Sequence, residues 1–598
     1  MIITRNGRIA LLTAILLLAA AARILHIGDQ SLWLDEGIAY WNQKQPDLIH
    51  ELATKDVHPP LYFAALRLWV DLTGIAPVAM RMSSALLSLL SVALVAALAH
   101  TLSRNRSSQE RTLIPLIAAL LLALFDPEIS LAQDVRMYAL RTLETLLAVY
   151  CYVQFTRRPR AAWGAGLAVA LTALLHTHYI GAFMLPVLGL HALIFQHGRV
   201  RALVIALMAL SVGLFLPWFT AYGWNQRLND TGIMAALPNT WQTFVEIGHK
   251  YFSQMWPVMF GLLLLGVVML EYEGERIRIR WQPFASSALL LLWFGLPVAL
   301  TVAANFFYDF LSPRRILLIS PAIAILTARG LGNLRHPARG FLIGAIVVYS
   351  LATVDDYYPK APWNAVGANL ARYAAADELV LMEIYRDDFT FDYYVDYLLS
   401  PDTPRESFRR WREDRADEYP GALIAQMQAA PAIWLVHWSP DDSAFRFLEQ
   451  TGHVQTALMT VDHWGNDLNL YRFDQLPDEA VAGFANGMTL RRVEIVDERV
   501  DLWWSADAPL ALDYTTSVFL FDAAGALVAQ HDAFPFENAR PTTMWAAGEA
   551  IYDPHPLDLG ELPPGVYSVN VQVYTYFDGQ KQPTLDGDPW VAVGTIVR

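Results

Sequence analysis

Over its first 354 positions this 598-residue chain gathers its apolar residues into long runs, which then give way to short alternating stretches. Eleven runs predict membrane-spanning helices, at about 9–27, 77–101, 112–125, 137–156, 161–177, 180–196, 201–219, 256–271, 285–305, 315–330 and 340–354, because a helix needs roughly 20 apolar residues to cross the hydrocarbon core. Little loop separates the runs within 112–156 and within 161–196. The segment from about 28 to 76 is a long polar loop with helices of its own. "PDLIHELATKD", from Pro46, predicts a short surface helix with Pro at its first turn and Leu48, Ile49 and Leu52 on one face. In "VHPPLYF" the two prolines hold His58 and Pro59 extended before another helix starts.

After Asp355 the pattern is that of water-soluble domains. Helical stretches such as "WNAVGANLARYAAA" alternate with apolar strands such as "ELVLMEI", "AIWLVHW" and "LNLYRF", which predicts a small α/β domain over 355–475. From about 480 to 598, "SVFLFDAAGALVAQHD" and "GVYSVNVQVYTYFDGQ" alternate apolar and polar residues between Gly and Pro turns. This is the pattern of an Ig-like β-sandwich.

Charge divides the chain at the same place. Residues 1–354 hold 27 Lys and Arg against 18 Asp and Glu, whereas 355–598 hold 16 against 39. Basic residues of the short loops (Arg5 and Arg8, Arg104 and Arg106, Arg157 and Arg158, Arg199 and Arg201, Arg276 and Arg278, Arg335 and Arg339) fall on one side, which the positive-inside rule makes cytoplasmic. An odd number of spans then puts the two C-terminal domains outside a plasma membrane. Arg5 and Arg8 ahead of "LLLAAAARI" resemble the start of a signal peptide, but the length of the run favours an uncleaved anchor. Cys151, the single cysteine, lies in an apolar run and reads as a small buried hydrophobe.

On the outer side, acids collect at helix ends. Asp35 and Glu36 follow the first span in "SLWLDEGIAYWNQK", and Asp134 stands in "SLAQDVRMYAL" with Arg136 and Tyr138 close behind. Arg314 and Arg315, in "SPRRILLISP", sit on this side against the charge rule, which calls for an anionic partner. Carboxylates facing cations in an outward cavity suit transfer from a lipid phosphate: an acid takes the acceptor's hydroxyl proton, and His58, Arg136, Arg314 or Arg315 neutralises the departing phosphate. The plainer alternatives are an exposed interfacial pair at Asp35 and Glu36, a loop-ordering salt bridge from Arg136 to Asp134, and interfacial anchoring by Trp33, Tyr40 and Trp41. His176 and His178, in "HTHYIG", are two apart and do not share a helical face. No carboxylate or Cys stands at ligand spacing beside them, so interfacial hydrogen bonding is the reading for His178 and no cofactor is expected, a divalent metal held by His58, His176, His178 and Asp35 being the alternative. A transporter or flippase would place its acids near the midplane; here they sit at helix ends. A non-catalytic surface scaffold is the third class. Neither a phosphate-binding "GxxxxGK[ST]" nor a "GxGxxG" occurs, and no basic aromatic stripe suggests nucleic acid.

Taken in order, "LWLDEG", "HPPLYF", "AQDVRMYAL", "HTHY", "SPRRILLISPAIAIL" and "YYPKAPWNAVGANL" resemble the motifs of integral-membrane glycosyltransferases of the GT-C class, over roughly residues 1–400. The likeness is to the bacterial branch related to protein O-mannosyltransferases and lipid A aminoarabinose transferases. The resemblance implies a GT-C fold and inverting transfer from a polyprenyl-phosphate sugar to an acceptor hydroxyl on a glycan, lipid or protein. By match to the family's acidic motif, Asp35 is the implied base, Glu36 its neighbour and Asp134 the acid of the second loop. His58 stands where some relatives carry a phosphate-binding Lys, and Arg314 and Arg315 where many read Arg-Tyr.

Overall fold

The computed structural model describes residues 4–598 except 225, 227–241, 243–244, 246, 249–250, 252–254, 274–275, 282–283, 306–310, 354–359, 386, 411–420, 464 and 561. Two compact units result, Met1–Lys360 and Ala361–Arg598, so the division falls a few residues beyond the one expected at 354.

The first unit is helical. Its N-terminal elements are α1 (Arg5–Ile24), α2 (Leu34–Lys44), α3 (Leu48–Lys55), α4 (Leu61–Thr73), α5 (Pro77–Leu102), α6 (Glu110–Ala123), α7 (Asp126–Ala132), α8 (Tyr138–Arg157) and α9 (Ala161–Thr177). Asp47 caps α3, its carboxylate accepting from the His50 N–H at 2.9 Å; Leu48 and Leu52 are buried but Ile49 is exposed. Among the described residues, five helices are long and apolar enough to cross a membrane: Arg5–Ile24, Pro77–Leu102, Gly198–Gly223, Ala285–Asn305 and Pro313–Gly332. A sixth results if α6 and α7, bent by 55° at their junction, form one span. The chain is therefore a multi-pass membrane protein.

This count is below the eleven expected, for identifiable reasons. Ala161–Thr177 and Tyr179–Phe195 are apolar but short. The 256–271 run is divided: Trp256–Leu265 is a ten-residue helix, and the chain then turns into the antiparallel hairpin Val268–Glu273 with Arg276–Trp281. The register sets Glu271 opposite Arg278 and Glu273 opposite Arg276, so the period-2 pattern "EYEGERIRIR" follows a sheet rule that a helix-length hydropathy window averages away. That short helix packs backbone to backbone on Ser320–Gly332. A Cβ at Gly266 would lie 1.9 Å from the Leu326 carbonyl oxygen, and one at Gly330 would lie 2.0 Å from that of Leu262. Only glycine permits such an approach.

The bend between α6 and α7 leaves carbonyls without helical partners. Arg23, completely buried near the end of α1, donates to the carbonyls of Ala123 (2.8 Å) and Leu122 (3.2 Å) and to the Ser88 hydroxyl (2.8 Å). The break that directs the chain toward Asp134 is thus hydrogen-bonded from within.

The second unit carries both kinds of sheet. Strands Leu379–Ile384, Arg405–Ser407 and Ala432–Trp438 run parallel, and Leu468–Asp474 and Val454–Val461 extend the sheet antiparallel, with helices such as Trp363–Tyr373 and Asp388–Leu398 alongside. Residues 482–597 form two antiparallel sheets of four and five strands. Val500, Leu502, Trp504, Val518, Leu520, Val569 and Val571, drawn from both sheets, make a common core. Their spacing of two along each strand is what makes one face of each sheet apolar.

Candidate active site

Asp35 and Glu36 both lie in the first turn of α2. Successive helical residues point roughly 100° apart, and here that rotation separates two environments. Glu36 is completely buried and its oxygens are saturated. Its Oε1 accepts from Arg81 Nε (2.8 Å) and the Val135 N–H (3.0 Å); its Oε2 accepts from Arg81 Nη2 (2.8 Å), Lys360 Nζ (3.0 Å) and the Trp33 N–H (3.3 Å). Arg81, one turn into α5, also donates to the carbonyls of Ile27, Gln30 and Ser31. It thereby gathers the chain between α1 and α2 onto the carboxylate. Lys360 Nζ makes a second bond, to Asp134 Oδ1 at 2.8 Å.

Asp35 is different. Its side chain is 18% exposed, and its Oδ2 meets Arg314 Nη1 at 2.5 Å and Arg136 Nε at 4.0 Å. Arg136 also donates from Nη1 to the Asp35 carbonyl at 3.1 Å. Arg314 is the more accessible cation, 39% exposed against 5% for Arg136, and it lies over the Trp33 ring, 5.3 Å from the centroid. Among the described residues, three buried donor atoms here have no hydrogen-bond partner: Arg136 Nε, the Tyr62 hydroxyl and Trp33 Nε1. Buried polar groups are rarely left so.

A fourth acid completes the surroundings. Asp56 accepts from the main-chain N–H groups of Val57 (2.7 Å) and His58 (2.8 Å), pairs with His58 Nδ1 (2.8 Å), and accepts from Asn42 Nδ2 at 2.6 Å. His58 lies edge-on to His178, 5.4 Å between centroids, and His178 Nδ1 accepts the Ile180 N–H.

The charges follow from this packing. Burial pushes the Glu36 carboxyl up, but Lys360 and Arg81 outweigh it and hold it well below the usual carboxylate range. Burial and the nearby Glu36 raise Asp134, against the pull of Lys360. Asp56 is held at about 2, burial being overcome by His58 and Arg136. Arg136 is buried, yet Asp35, Tyr138 and Asp56 raise its pKa, so it stays charged. The site presents one partly exposed carboxylate, two guanidinium groups against it, and a rigid buried scaffold behind.

Of the residues expected from the sequence, Asp35, Glu36, Asp134, Arg136 and Arg314 converge. Tyr138 is buried beside Arg136, and its ring lies 5.3 Å from the Arg141 guanidinium. The exposed-pair reading of Glu36 is corrected by its complete burial, and a salt bridge from Arg136 to Asp134 by the actual pairing, Arg136 with Asp35 and Lys360 with Asp134. Arg314, not its neighbour Arg315, makes the contact to Asp35; the Arg315 main chain donates to the Ser312 carbonyl. His176 pairs through Nδ1 with the Thr172 carbonyl at 2.8 Å. Nor are all three aromatics simple anchors: Tyr40 is buried, Trp41 donates to Glu51, and Trp33 underlies Arg314. Lys360 and Arg81 were not singled out. Arg81 had a signal, a charge inside a long apolar run, whereas Lys360 had only its place between two prolines in "YYPKAPW".

No family profile and no curated protein sequence matches the chain. Solved structures do. ArnT from Cupriavidus metallidurans in the apo state aligns with a TM-score of 0.51 at 12% identity, covering 78% of this chain and 98% of that protein. The same protein bound to undecaprenyl phosphate aligns at 0.50 and 13% identity, with the same coverage. This likeness is one of fold, and the chain has the fold of the GT-C glycosyltransferases.

Proposed function

We propose that the chain transfers a sugar from a polyprenyl-phosphate donor to an acceptor hydroxyl, with inversion at the anomeric carbon and Asp35 as general base. The observation that carries this reading is the contrast within one helical turn. Glu36 has five donors and no capacity left for a substrate, while Asp35 is partly exposed and faces two cations.

In the proposed sequence the donor phosphate enters beside Arg314 and Arg136 and takes over the contact that Arg314 now makes to Asp35. The freed carboxylate accepts the acceptor's hydroxyl proton as that oxygen forms its bond to the anomeric carbon. The bond from that carbon to the phosphate oxygen breaks on the opposite face, and the departing polyprenyl phosphate keeps the electron pair, its charge stabilised by the guanidinium groups. Asp35 then loses the proton to solvent. Glu36, Arg81, Lys360 and Asp134 hold the loops in register. That a protein of this fold, ArnT, has been seen with undecaprenyl phosphate supports the choice of donor.

The test is transfer from a radiolabelled polyprenyl-phosphate sugar to a panel of hydroxyl acceptors by the full chain in liposomes. Asp35→Asn keeps the side-chain shape and should lower the rate by about 10²–10⁴-fold, the range for loss of a general base. Full activity in a correctly inserted Asn variant would sink the assignment.

A further inference from the structure

At the other end of the first unit, α1, α6 and the helix His336–Thr353 all begin around a cavity of about 460 Å³. Arg8, His336 and Arg339 line it together with Ser108 and Thr112, and among the described residues no acidic one does. Arg8 Nε is buried there without a hydrogen-bond partner among the described residues. Three helix N-termini add their partial positive charge. Deeper in, the lining turns apolar at Leu113, Ile117 and Ile343. Ile117 and Ile343 also begin a narrow crevice of about 10 Å³, walled only by apolar residues and reaching Leu124 on α6 and Val347 on the facing helix.

We propose that this cavity binds the phosphate headgroup of an anionic glycerophospholipid, with an acyl chain lying along the seam between α6 and His336–Thr353. The cations and hydroxyls account for a phosphate; the apolar continuation accounts for a lipid rather than a free anion. From Gln109 to Leu124 the seam runs roughly 20 Å at the helical rise, enough for one leaflet of a core about 30 Å thick. Basic pockets between membrane helices recognise anionic headgroups in this way. The site is separate from the one around Asp35, since α1 starts at the cavity and ends at the Arg81 cluster, roughly 30 Å away along its axis. It does not depend on the proposed transfer reaction.

The test quantifies lipid retained by the full chain after extraction from vesicles, using native mass spectrometry. Phosphatidylglycerol should be retained over phosphatidylcholine by about tenfold, and inorganic phosphate should not displace it. The double variant Arg8→Gln with Arg339→Gln should lower retention by at least about tenfold. Gly340→Leu tests the same site with the charges intact: Gly340 lines the cavity, and a Cβ there meets nothing within 4 Å, so a larger side chain starts into open space beside the headgroup. It should lower retention to the same degree while thermal stability in lipid-free detergent stays unchanged. Equal retention of both lipids, undiminished retention in the variants, or full displacement by inorganic phosphate overturns the proposal, the last in favour of a small-anion site.

Discussion

In the C-terminal unit Arg472 is buried between Glu378 and Asp474, and each of its three side-chain nitrogens finds a carboxylate, at distances from 2.6 to 3.2 Å. Trp434 and Thr456 donate to the same acids, and the rings of Trp434 and Tyr552 lie 5.0 and 4.4 Å from the guanidinium carbon. In the membrane unit Arg136 is as deeply buried, yet its Nε has no hydrogen-bond partner among the described residues, and the Tyr62 hydroxyl beside it has none either. The residue types are alike, but in the first cluster Arg472 and its two acids are fully paired, whereas in the second the arginine itself is left with an unused donor. Charge in a protein interior is tolerated when its hydrogen bonds are complete. Incompleteness next to a partly exposed carboxylate marks the place where a further polar group fits.

The comparison can be broken most strongly through the open cluster. Arg314→Gln should slow transfer by about 10²–10³-fold, the scale for loss of one group stabilising a developing negative charge, while Arg315→Gln stays near the wild-type rate. Equal losses in the two would remove the distinction drawn at Asp35. Next come the closed pairs. Glu36→Gln leaves Arg81 buried without its counter-charge, and Glu378→Gln does so in part for Arg472; each should cost about 3–5 kcal/mol of stability. Scanning calorimetry of the inserted protein should show both losses. Transfer per folded molecule should fall in Glu36→Gln, because that cluster backs the proposed base Asp35, and should hold in Glu378→Gln.

The smallest effect concerns acid. Asp56 titrates at about 2 against an ordinary 3.8, a folded value below the unfolded one. Its stabilising contribution is therefore present above the ordinary value and is lost as pH falls through about 2. Asp56→Asn should lower the melting temperature at neutral pH and flatten its decline between pH 4 and 2. An unchanged acid limb would mean that the His58 contact contributes nothing to folding.

Local pattern carried much of this molecule. The apolar runs located α1, α5 and the helices at 198–223 and 285–305, and the period-2 stretches located the strands of the C-terminal unit. Pattern failed where a run hid a change of geometry, as at 256–271, whose first ten residues are a helix and whose last four open the strand Val268–Glu273 that pairs with Arg276–Trp281. Pattern also located α8, expected at about 137–156 and found at Tyr138–Arg157, but not its surroundings: the helix carries Arg141 and Glu144 and is buried along most of its length. Such a helix is surrounded by protein, so its composition no longer reports its environment.

The sequence by itself determined that the chain is a multi-pass membrane protein with acids and arginines at neighbouring helix ends, because burial of apolar runs and placement of charges act locally and leave periodic traces. It also carried Asp35, through the ordered motifs around it. Only the tertiary structure decided that Glu36 is spent on Arg81 and Lys360, that Arg314 rather than Arg315 faces Asp35, and that Lys360 joins Glu36 to Asp134 across 226 residues of chain. Those pairings depend on which atoms come within about 3 Å of each other. One-dimensional order cannot specify that, since adjacent residues on a helix diverge by roughly 100° while residues far apart converge when the chain packs.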